Sequence, residues 1–348
     1  MSALATPASF LDGLDNETRE LLLAVSTPVS FTAGSTLVRH GEAARGAYVL
    51  REGSVEAVVT LPGGESLSVA RLGPGSVFGE MALIDLGTCT ATVRATTAVD
   101  GWFVANEEFR ALVSRRQPAA IRLQHAVTLI LAEKLAALNA QLLACAAPED
   151  RQAREAVSGV DPLAKVARSR GAPFDAASFL PRLAFFERFS TDEIDEVVCR
   201  ASYVEVPRGQ GIFAASTPAA SAFVVVRGAA EIVALREERE RRIAVLGPGQ
   251  LIGYLSVLRG RAHTSFAFAR ESALLLDFPA AGFRELYFGQ SRACALLRHA
   301  VQRSLLASMG RTNRSLTRLL SQAKLESPRS AAPLEAALHG QITTVAPA

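Results

Sequence analysis

The sequence predicts a mainly β protein with flanking helices, arranged as two tandem jelly rolls (double-stranded β-helices). The first observation is a repeat, because LGPGSVFGEMALI at residues 72–84 recurs as LGPGQLIGYLSVL at residues 246–258. The second is that each copy holds short runs rich in Val, Phe, Thr and Tyr, which alternate with period two and are interrupted by glycine, as antiparallel strands are. The third is the helical spacing of apolar residues at the end of each copy.

The repeat extends well beyond its best stretch. Gly79 and Gly253 are 174 positions apart, and so are Ala95 and Ala269. Upstream, VSFTAGSTLV at 29–38 matches VEVPRGQGIF at 204–213 with an offset of 175, so the loop after Val59 is one residue longer in the first copy. A nearly constant offset over this length indicates two homologous domains in head-to-tail order.

Each copy opens with a predicted amphipathic helix, DNETRELLLAV at 15–25 and STDEIDEVVCR at 190–200. A polar cap and acidic residues in the first turn are typical of a helix start. Strand runs follow, and Gly53 in the first copy and Gly228 in the second each lie between two of them. We therefore predict hairpin turns with positive φ at these two glycines.

An apolar helix closes each copy. Its apolar residues recur mostly at steps of three and four, which places them in one stripe. The stripes are Val127, Leu131, Leu135, Leu138 and Leu142 in the first copy and Cys294, Leu297, Val301, Leu305, Met309 and Leu316 in the second. The prediction is a homodimer seam formed by part of these helices, with packing inside each domain as the alternative.

Domain limits follow from the repeat and from composition. The first domain with its C-terminal helix is predicted over residues 1–146, and the second, more degenerate domain over 179–322. Residues 147–178 are rich in Ala, Pro, Asp and Arg and are predicted to be a linker. Residues 323–348, with three prolines and many small residues, are predicted to be a disordered tail.

Composition excludes several classes of protein. The 348 residues are 49% hydrophobic and 20% charged, and the net charge of +3 is too small to indicate nucleic-acid binding by itself. The N-terminus lacks the regions of a signal peptide, and Glu133 and Lys134 interrupt the longest apolar run, so no membrane span is predicted. The four cysteines have no disulfide or metal-ligand spacing, which favours reduced thiols in the cytoplasm.

Both copies resemble cyclic nucleotide-binding domains, the module of the catabolite activator protein family and of the regulatory subunits of cyclic-nucleotide-dependent kinases. The resemblance covers about residues 10–143 and 180–322. It is carried by FGEMALI at 78–84 and ATV at 91–93, which match the family's phosphate-binding cassette, F-G-E-[LM]-A-L-[IL]-x-x-x-P-R-[AST]-A-T-V. The ligand site that it implies consists of Phe78, Gly79, Glu80, Met81, Ala82, Leu83, Cys89, Thr90 and Ala91. The degenerate second site consists of Gly253, Tyr254, Leu255, Ser256, His263 and Thr264.

The residue types of the cassette suit a cyclic phosphate. Gly79 lets the backbone approach a ligand, and the short helix after it directs free N–H groups at an anion. Glu80 is a suitable acceptor for a sugar hydroxyl, and in the resembled family this glutamate binds the ribose 2′-OH. Thr90 adds a hydroxyl at a position where, in the family, Ser or Thr often accompanies tolerance of cyclic GMP. A cyclic nucleotide or a cyclic dinucleotide is the implied ligand, and no other cofactor is expected.

Both copies depart from the cassette at its charged positions. The phosphate-binding arginine is replaced by Cys89 in the first copy and by His263 in the second, where Tyr254 also replaces the glutamate. Losing one partner of a buried charge pair costs about 2–5 kcal/mol, or roughly 30- to several-thousand-fold in affinity. Three arginines lie near enough in the sequence to replace the missing cation, and they are interpreted as solvated: Arg94, Arg259 and Arg261. Cys89 is interpreted as a small buried residue, with a reactive thiol at a helix N-terminus as the alternative.

Two basic segments resemble kinase-inhibitor sequences of the regulatory subunits. RERRIAV at 239–245 falls on a predicted strand by the repeat alignment, and VARSRGAP at 166–173 is the weaker candidate. No catalytic motif is found, so no enzyme activity is predicted. After the second closing helix the sequence continues for only about 25 residues, rich in Pro and Ala, so a DNA-reading helix-turn-helix and direct DNA binding are not expected.

The sequence therefore predicts a non-enzymatic, cytoplasmic regulatory or adaptor protein. In one hypothesis both cassettes are degenerate and the tandem domains act through an unidentified protein partner. In the other, the first domain still senses a cyclic nucleotide or cyclic dinucleotide through its backbone donors, Glu80 and Thr90.

Overall fold

The computed structural model describes residues 9–60, 66–85, 87–145, 162–163, 166–236 and 239–326. The chain divides into two compact units. The first unit combines residues 1–145 with residues 305–348, and the second is residues 146–304.

Among its described residues, the first unit forms eight strands: β1 (Ser26–Phe31), β2 (Thr36–Val38), β3 (Gly46–Glu52), β4 (Val55–Thr60), β5 (Ser66–Leu72), β6 (Val77–Phe78), β7 (Thr92–Ala95) and β8 (Val99–Ala105). They make two antiparallel sheets, ordered β1-β8-β3-β6 and β2-β7-β4-β5. Its helices are α1 (Asn16–Ala24), α2 (Met81–Ile84), α3 (Asn106–Ser114) and α4 (Pro118–Cys145). Side chains of both sheets share one core, which gives the predicted jelly roll.

The second unit repeats this arrangement. Its described strands are β9 (Arg168–Ser169), β10 (Ser202–Val206), β11 (Gly211–Phe213), β12 (Ser221–Arg227), β13 (Ala230–Arg236), β14 (Arg239–Leu246), β15 (Leu251–Ile252), β16 (Phe266–Ala269) and β17 (Ala273–Pro279). The sheet orders are β15-β12-β17-β10-β9 and β11-β16-β13-β14, the same as in the first unit apart from the added β9. Its helices are α5 (Ala176–Phe179), α6 (Thr191–Val198), α7 (Tyr254–Arg259), α8 (Ala280–Phe288) and the first part of α9 (Arg292–Glu326), which from Leu305 onward belongs to the first unit. The tandem fold predicted from the repeat is confirmed.

The core of the second unit shows why its strands are more apolar than simple alternation requires. Along β17, Leu275 faces the other sheet, whereas Leu274 and Leu276 face the core that contains the helices. On β12, Phe223 and Val224 divide between the same two cores. This sheet is therefore buried on both faces, and an all-apolar strand fits it.

The hairpins predicted at Gly53 and Gly228 are wrong, although both glycines have the predicted positive φ, +84° and +79°. Strands β3 and β4 belong to different sheets, as do β12 and β13, so each glycine turns a corner between sheets. A side chain does not fit at the first corner, because a Cβ on Gly53 would lie 2.0 Å from the carbonyl oxygen of Ala98. The sequence pattern does not distinguish the two cases, because strands on either side of a glycine alternate with period two whether they pair as a hairpin or lie in different sheets.

The opening helices are confirmed and the closing ones are more numerous than predicted. Asp15 caps α1 and accepts from the backbone N–H of Thr18, and Ser190 and Glu193 form a reciprocal capping box at α6. Each copy, however, closes with two helices, α3 and α4 or α8 and α9. Helix α3 was missed, although the acidic first turn after Asn106 is a helix-start signal.

The apolar stripes of α4 and α9 are covered within the chain. Leu131 and Leu135 are buried, as are Leu297, Val301 and Leu305. Leu297 and Val301 lie in the core of the second unit, and the homodimer through these helices stays a prediction.

Residues 118–144 of α4 are long and apolar enough, by length and composition alone, to cross a membrane. Core helices of soluble proteins also meet this criterion, so the finding is weak evidence for a span. Helix α4 packs against α1 and α3, and its Arg122 pairs with Asp15 and Glu17 of the α1 region. These polar contacts suit a helix packed on its own unit.

Part of the predicted linker belongs to the second unit. Leu163 is fully buried in the core between its sheets, and β9 pairs with β10. Arg168 of the segment VARSRGAP forms an ion pair with buried Asp277 at 2.7 Å, so this arginine is engaged in the fold. The segment RERRIAV lies on β14, as predicted. Residues 147–161 and 164–165 of the predicted linker, and the predicted tail beyond Glu326, lie outside the described residues.

Candidate functional site

The backbone of the first cassette has the shape that its sequence predicts. Strand β6 ends at Phe78, Gly79 follows with φ +76°, and α2 begins at Met81. A Cβ on Gly79 would lie 2.6 Å from the carbonyl oxygen of Gly46, so only glycine lets the cassette lie this close to β3. Ala82 is buried, and its backbone N–H donates to the carbonyl oxygen of Gly79 at 3.0 Å, as that of Leu83 donates to Glu80 at 3.1 Å.

Aromatic side chains of the neighbouring strands form a cluster with Phe78 at the start of the cassette. The Phe78 ring stacks on Tyr48, with 4.9 Å between centroids and 12° between planes, and the Phe103 ring also contacts Tyr48, with 4.8 Å between centroids. Burial raises the pKa of Tyr48, and the nearby Cys89 adds to this effect. Tyr48 therefore lies near the cassette position that lacks its arginine, a placement that the sequence did not reveal.

Glu80, the predicted sugar acceptor, is engaged by a cation from α4. Its residue surface is 3% exposed, and its Oε2 accepts a hydrogen bond from Lys134 Nζ at 2.8 Å. The same ammonium donates to the carbonyl oxygen of Val77 at 3.1 Å. A buried carboxylate requires such a partner, because an isolated buried charge is very costly. Lys134 was interpreted from the sequence only as an interruption of an apolar run.

Cys89 lies in the loop that closes the cassette, and backbone bonds fix its position. Its N–H donates to the carbonyl oxygen of Glu42 at 2.8 Å, and its own carbonyl accepts from Gly41 at 2.9 Å. Burial raises the pKa of the Cys89 thiol, and the carboxylate of Glu42 raises it further. The thiol is therefore neutral near pH 7, which argues against the reactive-thiol interpretation.

The remaining positions of the first cassette differ in their exposure to solvent. Thr90 is exposed, and Ala91 packs beside the core between the sheets. Arg94 is exposed, in agreement with its interpretation as a solvated side chain, while its neighbour Val93 is buried. Met81 is partly buried and Leu83 is buried.

In the second cassette, the arginine position is filled by an aromatic stack. His263 is 5% exposed, and its imidazole stacks on Phe213 with 4.0 Å between centroids and 10° between planes. A Cβ on Gly253 would lie 3.4 Å from an edge carbon of each ring, so the stack lies directly against the cassette glycine. In the first unit the repeat places Val38 and Cys89 at these two positions, and both side chains are much smaller.

Tyr254, at the glutamate position of the second cassette, does not face a sugar site. It is 5% exposed and belongs to the apolar core beneath α7, together with Val257 and Leu258. Leu255 packs beside the same core, Ser256 is partly buried and Thr264 is exposed. Arg261 is exposed and Arg259 partly buried. The predicted residues of the second site are thus divided between core and surface.

Comparisons with known proteins agree with this architecture. The family described as the cyclic nucleotide-binding domain matches residues 28–116 and 203–289. The cyclic AMP receptor protein of Thermus thermophilus is 29% identical over 130 residues, which cover 37% of this chain and 58% of that protein. The chain thus spans less than two thirds of the length of that curated relative.

Solved structures also match. The N-terminal domain of a transcriptional regulator from Streptomyces coelicolor is 30% identical, over 36% of this chain and 89% of that one, with a TM-score of 0.33. The regulatory domain of Toxoplasma gondii PKA with cAMP is 16% identical, over 87% and 93% of the two chains, with a TM-score of 0.32. Because the family match includes both repeats and about half of the residues, the chain belongs to the cyclic nucleotide-binding domain family, with two such domains in tandem.

Proposed function

We propose that this protein is a non-enzymatic regulatory protein of the cytoplasm that acts through a protein partner, with weak cyclic-nucleotide binding in the first unit and none in the second. The observation that carries the proposal is the stack of His263 on Phe213 against Gly253. A ligand phosphate in the second cassette would have to displace two packed rings.

The charge at the first cassette supports weak binding there. Cys89 contributes a neutral thiol where an arginine would contribute a bidentate cation. The charged group that acts on this thiol is Glu42, whose carboxylate repels a phosphate. Backbone donors then have to hold the ligand's negative charge without a guanidinium, so we expect affinity roughly 30- to several-thousand-fold below that of an intact cassette.

Isothermal titration calorimetry of the full chain with cyclic AMP, cyclic GMP and cyclic di-GMP tests the proposal. The expected result is a dissociation constant larger than about 10 μM for each ligand, which corresponds to a binding free energy of less than about 7 kcal/mol in magnitude. Binding tighter than this that is lost on Glu80→Ala would contradict the proposal. The matched control is Tyr254→Ala, which changes the same position of the second cassette.

One observation favours a second function, a ligand sensor that uses the first unit alone. The first cassette keeps Gly79, Glu80 and its short helix. Val38 and Cys89, which are small, occupy the positions of the two stacked rings of the second unit. A cyclic nucleotide or a cyclic dinucleotide would then bind through backbone N–H groups, Glu80 and Thr90. The same titration separates the two functions, because only the sensor gives binding tighter than about 10 μM that depends on Glu80.

A further inference from the structure

Lys134 of α4 pairs with Glu80, the residue of the first cassette that is expected to bind a ligand's sugar. Only 4% of the Glu80 side-chain surface is exposed, against 31% for Lys134, so the carboxylate is the buried member of the pair. Their 2.8 Å separation is that of a charge-assisted hydrogen bond. One oxygen of the carboxylate that would accept a ligand's sugar hydroxyl is therefore already bonded to a side chain of the same unit.

From this geometry we infer that Lys134 is an internal substitute for the ligand, which holds α4 against the cassette when the first pocket is empty and which a ligand hydroxyl must displace or share. The inference rests on the proposed function, because it adds a second cause of weak ligand binding, competition by Lys134 for Glu80, to the missing arginine. Lys134 thus limits the affinity of the first pocket.

The contacts of α2 show that the pair does more than neutralise a charge. Lys134 Nζ binds both Glu80 and the carbonyl oxygen of Val77, so one side chain of α4 holds the two residues on either side of the Phe78–Gly79 turn. At the other end of α2, Arg110 of α3 donates to the carbonyl oxygen of Ile84 at 3.4 Å. Both ends of the short helix are therefore tied to the closing helices without a ligand.

The ion pair is also stronger than the contact that would replace it. An ammonium–carboxylate pair that is largely desolvated combines Coulomb attraction with a hydrogen bond, whereas a sugar hydroxyl offers a neutral donor. An ammonium has three N–H donors, of which Glu80 and Val77 engage two. A ligand that takes Glu80 from Lys134 removes the ammonium from its carboxylate, and a neutral hydroxyl does not replace that charge interaction.

Two variants, Lys134→Met and Glu80→Gln, test the inference in the full chain. In ligand-free protein we expect faster hydrogen–deuterium exchange in α4 and in residues 78–84, by about ten- to a hundredfold for either variant. The double variant should add little to the singles, because both remove the same pair. The control is Arg122→Gln, which breaks a more exposed ion pair of α4 with Asp15 and should leave exchange in residues 78–84 unchanged.

Titration with cyclic AMP supplies a readout that a purely structural role would not move. Lys134→Met should bind about tenfold or more tightly than wild type, because the hydroxyl then meets an unpaired carboxylate. Weaker binding would overturn the inference, since Lys134 would then serve the ligand, and so would unchanged exchange or additive effects of the two variants. The wild-type titration alone decides the proposed function, whereas exchange in the ligand-free protein decides the role of Lys134, so the two failures are distinguishable.

Discussion

Restoring the arginine in the first cassette is the sharpest test of why its binding is weak. In Cys89→Arg the new guanidinium replaces a neutral thiol at a position whose backbone is fixed by Gly41 and Glu42. A buried charge pair contributes about 2–5 kcal/mol. Glu42 competes for the new cation, but its side chain is 66% exposed, so that surface pair is worth at most about 1 kcal/mol. About 1–4 kcal/mol remains, which is a gain of roughly fivefold to nearly a thousandfold in affinity.

Calorimetry with cyclic AMP measures this gain, and His263→Arg is the matched control in the second unit. The control should gain nothing, because the Phe213 ring and the core beneath the cassette keep that pocket filled. No increase in affinity for Cys89→Arg, with an unchanged urea midpoint, would refute the reasoning, because the first pocket would then be closed by its shape. An equal gain in both variants would refute the distinction between the two units.

Three further predictions concern stability, each measured by urea unfolding. Burial lowers the pKa of His125 to about 4, whereas this imidazole has a pKa of about 6.5 in the unfolded chain. The free energy of unfolding should therefore fall by up to about 3 kcal/mol as the pH falls from 6.5 to 4, and His125→Leu should abolish that loss. Gln141 is 1% exposed and neither amide atom finds a hydrogen bond among the described residues, so Gln141→Leu should stabilise by about 1–2 kcal/mol, and a lower midpoint would contradict this. Arg298 is fully buried and donates to the carbonyls of Tyr287 and Gly289, both at 2.7 Å, so Arg298→Leu should cost about 2–4 kcal/mol; an unchanged midpoint would show that these carbonyls find other donors.

Most of the fold could be predicted because its signals are local. The repeat offset, the strand periodicity and the helix caps at Asp15 and Ser190 each depend on a few neighbouring residues, and the structure confirms them. The corners at Gly53 and Gly228 could not be predicted, since a glycine between two strands has the same local sequence whether the strands pair or change sheets. Which strands pair is decided by contacts far apart in the chain.

The candidate site was less predictable for the same reason. Motif spacing identified Glu80 and Cys89, but the partner of Glu80 is 54 positions away on another helix, where a lysine in an apolar run gives no sign of its role. In the sequence, Phe213 is an apolar residue of a predicted strand, and nothing near it indicates that its ring stacks on His263. A stronger signal lay in comparing the copies, because the large pair Phe213 and His263 stands where the first copy has Val38 and Cys89.

The two cassettes have lost the same arginine with opposite physical consequences. In the first, Cys89 removes a charge and leaves the backbone cradle and the carboxylate of Glu80 in place, so one substitution can restore the missing interaction. In the second, His263 and Tyr254 have become parts of packed clusters, so a restored arginine would have to expel aromatic side chains from a close-packed environment. Recovery of binding by a single change is therefore expected only in the first unit, and any ligand response of the protein should depend on Glu80 and Lys134 rather than on the second cassette.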